Sequence, residues 1–234
     1  MTARVPMRRA WRRIAGGLGF ALALALTATP AAAQRAVVEP RVAIGGSALV
    51  MGPMSLGVAS ADYQTPRGDA LPLFHADARM AASPGAEGHV TVSIAPTIAI
   101  EAAGAWLRPH VVSRIDDDFE GAAAVTSRLP LSRFTAEGAV LVAVARRGRA
   151  VWFLRGGAGW MREMAGWGTY AEDGAIGDLG LGVKYWWHTR ARDDTGRLAL
   201  RVDARLAGRA GGIVIGARTF RVAPLVAAGL DLAW

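Results

Sequence analysis

From Val226 onward, Ala228, Leu230, Leu232 and Trp234 hold every second position apolar up to the last residue of the sequence, with Ala227, Gly229, Asp231 and Ala233 between them. Alternation of this kind is the mark of a β-strand with two unlike faces. Strands of about 9 to 11 residues can cross a bilayer when tilted, but only if they close on themselves, because hydrocarbon offers no partner to an unpaired backbone N–H or C=O. The pattern recurs between breaks rich in Gly, Pro and Asp, near 41–51, 89–95, 98–108, 132–145, 150–161, 178–188, 197–208 and 221–234. From residue 34 onward no apolar stripe at helical spacing persists for three turns.

The connections alternate as well. They are short around 96–97, 146–149 and 189–196, and long around 52–88, 109–131, 162–177 and 209–220. Short turns at one end and long loops at the other are the habit of outer-membrane barrels. The reading is therefore all-β: residues 34–234 form an eight-stranded antiparallel transmembrane β-barrel with short periplasmic turns, where both termini lie, and longer extracellular loops.

The content of the two faces separates this barrel from a soluble one. Leu179, Leu181, Val183, Tyr185 and Trp187 share one face of the sixth strand, opposite Asp178, Gly180, Gly182, Lys184, Trp186 and His188. In the seventh, Leu198, Leu200, Val202, Ala204 and Leu206 oppose Ala199, Arg201, Asp203, Arg205 and Ala207; in the third, Ile98, Ile100, Ala102, Gly104 and Trp106 oppose Ala99, Glu101, Ala103, Ala105 and Leu107. The apolar faces carry no charge. The opposite faces mix isolated charges with Gly and Ala, which suits a narrow filled interior better than a solvated exterior. Lipid is thus expected outside, and Glu101, Glu137, Arg155, Asp178, Lys184, Arg201, Asp203, Arg205 and Asp231 inside. Five acids against four bases in so narrow a lumen point to an ion-pair network, since unpaired buried charge is costly; a proton or solute path through it is the sharper alternative. Trp106, Trp160, Tyr185, Trp187 and Trp234 fall at strand ends, where amphipathic rings anchor at the membrane interface. Pro224 lacks the N–H of a closed ladder and is expected near the loop end of the last strand or at a bulge.

Residues 1–33 read as a secretory signal: Arg4, Arg8, Arg9, Arg12 and Arg13 precede the apolar run Ile14–Leu26 and the small-residue stretch Pro30–Ala33, with cleavage expected before Gln34. The run is too short for a spanning helix of ~20 residues. The chain carries +8, and removing the five signal arginines leaves +3, so the basic balance is no nucleic-acid footprint. The absence of cysteine excludes disulfides, thiolate metal sites and a lipidated N-terminal Cys. No cofactor is called for.

The stretch Gly180-Leu181-Gly182-Val183-Lys184-Tyr185-Trp186, the segment Arg201-Val202-Asp203-Ala204-Arg205-Leu206 and the terminal strand together resemble small bacterial proteins of the outer membrane protein beta-barrel domain family, the eight-stranded OmpA/OmpX-like barrels. The resemblance implies the architecture, an outer-membrane location, and recognition of the aromatic-ended last strand by the barrel assembly machinery. It implies no particular activity.

A non-enzymatic surface protein whose loops contact something outside is the function expected first, a narrow channel for ions or small solutes second, and a lipid-modifying enzyme or protease with its site at the rim third. For the last, His75 and His110 fall in the segments read as extracellular loops, with Ser113, Asp116, Asp117 and Asp118 near His110; His89 and His188 do not. The three aspartates could also attract a divalent cation through oxygen ligands. The long first loop, with Tyr63, Pro66, Arg67, Leu71, Pro72, Leu73 and Phe74, is the best surface for an extracellular ligand, or a cover for the barrel mouth.

Overall fold

The computed structural model describes residues 41–64, 70–116, 123–165, 169–187, 197–213 and 220–234. The signal segment, Pro66, Arg67, Asp117, Asp118, His188 and the short connection 189–196 lie outside these. Eleven strands are present among the described residues: β1 (Val42–Met51), β2 (Met54–Gln64), β3 (Ala70–Met80), β4 (Ser83–Ala95), β5 (Ile98–Leu107), β6 (His110–Asp116), β7 (Val125–Arg147), β8 (Ala150–Ala165), β9 (Tyr170–Trp187), β10 (Arg197–Gly211) and β11 (Phe220–Ala233).

Eight of them close an antiparallel ring in the order β1-β4-β5-β7-β8-β9-β10-β11. The closing seam pairs the last strand with the first, from Ala43 opposite Ala233 to Met51 opposite Leu225. Two further bonds extend it, Trp234 N to Val42 O at 3.1 Å and Val42 N to Trp234 O at 3.3 Å. The terminal alternating strand thus satisfies both its edges, as a spanning sheet must.

The other three strands are continuations. β1 and β2 are interrupted only at Gly52-Pro53, β3 and β4 at Ala81-Ala82, β5 and β6 at Arg108-Pro109. Met51 opposes Ser83 and Met54 opposes Met80, so one hairpin register runs through the first two breaks. Leu107 opposes Arg133 and His110 opposes Pro130, so the third break also keeps register. Proline explains two of the interruptions, because it cannot donate to a ladder. Together β2, β3, β6 and residues 125–130 of β7 form a four-stranded sheet that projects beyond the barrel. This corrects the reading of 52–88 and 109–131 as loops; residues 162–165 and 170–177 are strand too, as are 209–211 and 220. In 54–61 and 76–78 alternation is weak because Gly, Ala and Ser occupy positions where a hydrophobic stripe would be looked for.

Pro224 sits where the seam ends: its carbonyl accepts from Gly52 N at 2.7 Å, and beyond this point β11 and β2 share no ladder. Glycine is required at 52, since a Cβ there would lie 2.6 Å from the Pro224 ring.

The two faces separate by burial. Leu179, Leu181, Tyr185, Trp187, Leu200, Val202, Leu206, Val226, Leu230, Leu232 and Trp234 are exposed outward, while Lys184, Trp186, Arg201, Asp203, Arg205 and Asp231 are buried inward. A charged interior inside an apolar exterior inverts the soluble pattern and is the organisation of a transmembrane barrel.

Candidate functional site

The lumen is layered. At the turn end Ala43, Val151, Trp186, Ala199 and Ala233 pack together, beside a small cavity of about 30 Å³ lined in part by Thr91, Phe153 and Lys184. Above them lies the charge layer. Each member reaches the axis because its strand points every second residue inward, and the register of neighbouring strands sets which heads meet.

Glu101 on β5 is its centre. Its carboxylate accepts from Arg201 on β10, at 2.5 Å (Nη1 to Oε2) and 3.2 Å (Nη2 to Oε1), from Arg155 Nε at 3.2 Å and from Thr91 Oγ1 at 2.9 Å. Asp203 is bracketed by Arg201 Nε at 2.9 Å and Arg205 Nε at 2.5 Å. Arg205 then forks onto both oxygens of Glu87, at 2.6 and 2.7 Å, the bidentate geometry a guanidinium favours. Arg155 also pairs with Asp178, and its Nη2 lies 3.5 Å from Glu137 Oε2. Asp231 takes Lys184 Nζ at 2.8 Å and His89 Nε2 at 2.9 Å, while His89 Nδ1 lies 3.9 Å from Glu87. Phe153 adds a π face 5.1 Å from the Arg201 guanidinium carbon. Close packing depends on small neighbours: a Cβ at Gly45 would meet His89 Nε2 at 2.3 Å.

All nine lumen charges singled out from the sequence face inward, together with Glu87 and His89, which that reading left out. Glu87 fell just before the second alternating segment, and its parity with His89 and Thr91 is the signal that would have found it.

A second polar group lies nearer the loop end, inside an apolar layer built by Leu49, Met51, Leu56, Met80, Leu107, Leu131 and Leu225 among others. Glu163 Oε1 accepts from Arg133 Nε at 2.9 Å and Nη2 at 2.5 Å, and also from Arg209 Nη1. Its Oε2 accepts from Ile213 N at 2.8 Å. Arg133 spends further donors on the sulfurs of Met51 and Met80, both at 2.9 Å. Arg221 lies directly across the ladder from Arg209 and donates to Ser55 O at 2.6 Å, spanning the gap between β11 and β2. The sequence reading did not include this group: Glu163, Arg209 and Arg221 border segments read as loops, and Arg133 shares parity with Glu137 but was passed over. Glu172, opposite Glu163 on β9, is engaged elsewhere. It accepts from the Tyr170 hydroxyl at 2.6 Å, a bond that pushes the phenol's pKa up.

At the rim, the described residues weighed for catalysis come together in one pair, His75 with Asp116, while Ser113 and His110 stand apart from it. His75 and Asp116 are cross-strand partners on β3 and β6, not loop residues, and Asp116 accepts from Arg114 Nε at 3.0 Å. Ser113 pairs with Ala78, on the opposite face of the sheet. His110 begins β6, opposite Pro130. Of the first-loop residues, Tyr63 belongs to β2, and Leu71, Pro72, Leu73 and Phe74 to β3.

Among the sequence-predicted aromatics, Trp106, Tyr185, Trp187 and Trp234 are exposed on the outer face, and Trp160 is half-buried there. Register sorts them into two levels: Trp106 opposes Phe134, two positions from the Ala136–Trp160 pair, and Leu198 at the other end joins Trp187 to Leu232.

No family model matches the chain, and no curated protein does. Among solved structures it is similar to the outer membrane protease OmpT from Escherichia coli, at 9% identity and a TM-score of 0.40, covering 83% of this chain and 97% of that one. It is likewise similar to the outer membrane protein AlkL, solved by solid-state NMR in DMPC lipid bilayers, at 12% identity and a TM-score of 0.38, covering 88% and 96%.

Proposed function

We propose that this chain is an integral outer-membrane protein of the small OmpA/OmpX-like kind, non-enzymatic, with a sealed lumen, that acts through the sheet projecting from its outer end. The carrying observation is the charge layer. Glu87, Glu101, Arg155, Arg201, Asp203 and Arg205 are each at most 5% exposed; all but Asp203 bond to charged partners from other strands, and Asp203 bridges Arg201 and Arg205 on its own strand, so the heads fill the cross-section that an eight-stranded ring encloses. A conducting pore needs water along its wall. On this reading the two aromatic levels sit at the two membrane interfaces, the short turns face the periplasm, and the aromatic-ended last strand is what the assembly machinery engages.

The test is conductance of the refolded protein in a planar bilayer. Only baseline current is expected from the parent, and from Asp116→Ala, which touches the rim alone. Stable, ion-selective single-channel currents from the parent would replace this reading with that of a narrow channel.

A further inference from the structure

Polarity reverses above the barrel. In the projecting sheet the face continuous with the lumen carries Ala59, Ala61, Phe74, Ala76, Ala78 and Met80 on β2 and β3, with Val111, Ser113, Ile115, Val125, Ser127 and Leu129 across the ladder. From Met80 to the level of Phe74 it holds no charge. Phe74, Ile115, Val125 and Leu129 are nonetheless 38 to 62% exposed. The outward face carries Asp77, Arg79, Arg114, Asp116 and Arg128, which suits water. An exposed apolar face backed by a charged one marks a binding surface.

At the foot of this face is an under-satisfied cation pair. One carboxylate, Glu163, serves both Arg133 and Arg209. Arg133 has turned to two thioether sulfurs, which are weak acceptors, and no acceptor among the described residues meets Arg209 Nε. Both guanidiniums are 1% exposed. An added anion with two oxygens would supply what Met51 and Met80 do not, and methionines are the side chains most able to move aside for it. Along β7, Leu129 stands about 13 Å above Arg133 and Val125 about 27 Å, a span suited to an extended acyl chain.

We propose that this site binds a fatty acid of about twelve carbons, its carboxylate on Arg133 and Arg209 and its chain laid upward between Met80 and Ile115. The inference rests on the projecting sheet being the working surface of the protein. Charge complementarity chooses the occupant: a neutral amphiphile would leave the guanidiniums as they are.

The experiment is equilibrium binding of radiolabelled dodecanoate to the full chain in lipid nanodiscs, against empty nanodiscs. Saturable binding is expected, with dodecanol competing poorly. Ile115→Asp changes an exposed position and should keep the heat-dependent gel shift of a folded barrel while weakening dodecanoate by about tenfold or more. Arg209→Gln should reduce the preference for dodecanoate over dodecanol; if it fails to fold, Ile115→Asp and the competition in the parent decide. No saturable binding by the folded parent, equal competition by dodecanol, or full affinity in folded Ile115→Asp would overturn the proposal. So would a dimer in sedimentation that Ile115→Asp abolishes, which assigns the face to a second copy. Conductance of the parent bears on the sealed lumen alone, so the two readings fail separately.

Discussion

Asp203 shows how much hangs on a single side chain in the charge layer. Among the described residues it is the only carboxylate that bonds to both Arg201 and Arg205, and all three are buried. Asp203→Ala leaves two guanidiniums facing each other across the gap, and removing one partner of a buried network costs about 3 to 5 kcal/mol. Urea unfolding in detergent, followed by tryptophan emission, should register that loss, whereas Asp116→Ala should stay within about 0.5 kcal/mol because its pair with Arg114 is exposed. Equal stability of the two variants would mean that water screens the lumen. Gly45 works by absence: Gly45→Val would drive a side chain into the His89–Asp231 contact, and the same unfolding measurement should show destabilisation.

At the level of the strand, one residue of shift exchanges the two faces. β10 makes the point, since Leu200 and Val202 are exposed outward while Arg201 and Asp203, their immediate neighbours, are buried. Leu200→Arg should cost about 2 to 4 kcal/mol if that position lies near the bilayer midplane, read as a smaller fraction of heat-shifted protein on a gel. Folding equal to the parent's would invert the assignment of faces. Removing Trp234 deletes both backbone bonds to Val42 and the aromatic end of β11, so assembly should fall further than for a loss from the projecting sheet. The breaks at Gly52-Pro53 and Arg108-Pro109 act at the same scale, ending the outer wall of the barrel while the register carries on.

Taken whole, the molecule is a stack of alternating polarity: apolar at the turn end, charged at mid-lumen, apolar with an embedded Arg133–Glu163–Arg209 group above, and an open apolar face beyond. Such a stack with a lipophilic belt belongs in a membrane. Fractionation of expressing cells should place the chain with outer membranes, and N-terminal sequencing should begin at Gln34. Recovery from the soluble periplasm would remove the membrane reading altogether.

Alternation by itself determined the strand character, the eight spanning segments and the faces of residues 98–107 in β5, 178–187 in β9, 198–207 in β10 and 226–233 in β11, because a period of two is a local property of an extended chain. Glu101 and Arg201 could be placed on inward faces in that way. That they meet could not, since they are a hundred residues apart and only the closed ring brings β5 and β10 across a common axis. Tertiary structure also decided that 54–64, 70–80 and 110–116 are strand. In 54–64 and 70–80 small residues carry little periodic signal, and it is the register inherited from β1, β4 and β5 that holds all three segments extended. The Arg133, Glu163 and Arg209 group came from the same source, for its members border segments whose strand pairing is fixed by neighbours and not by their own sequence.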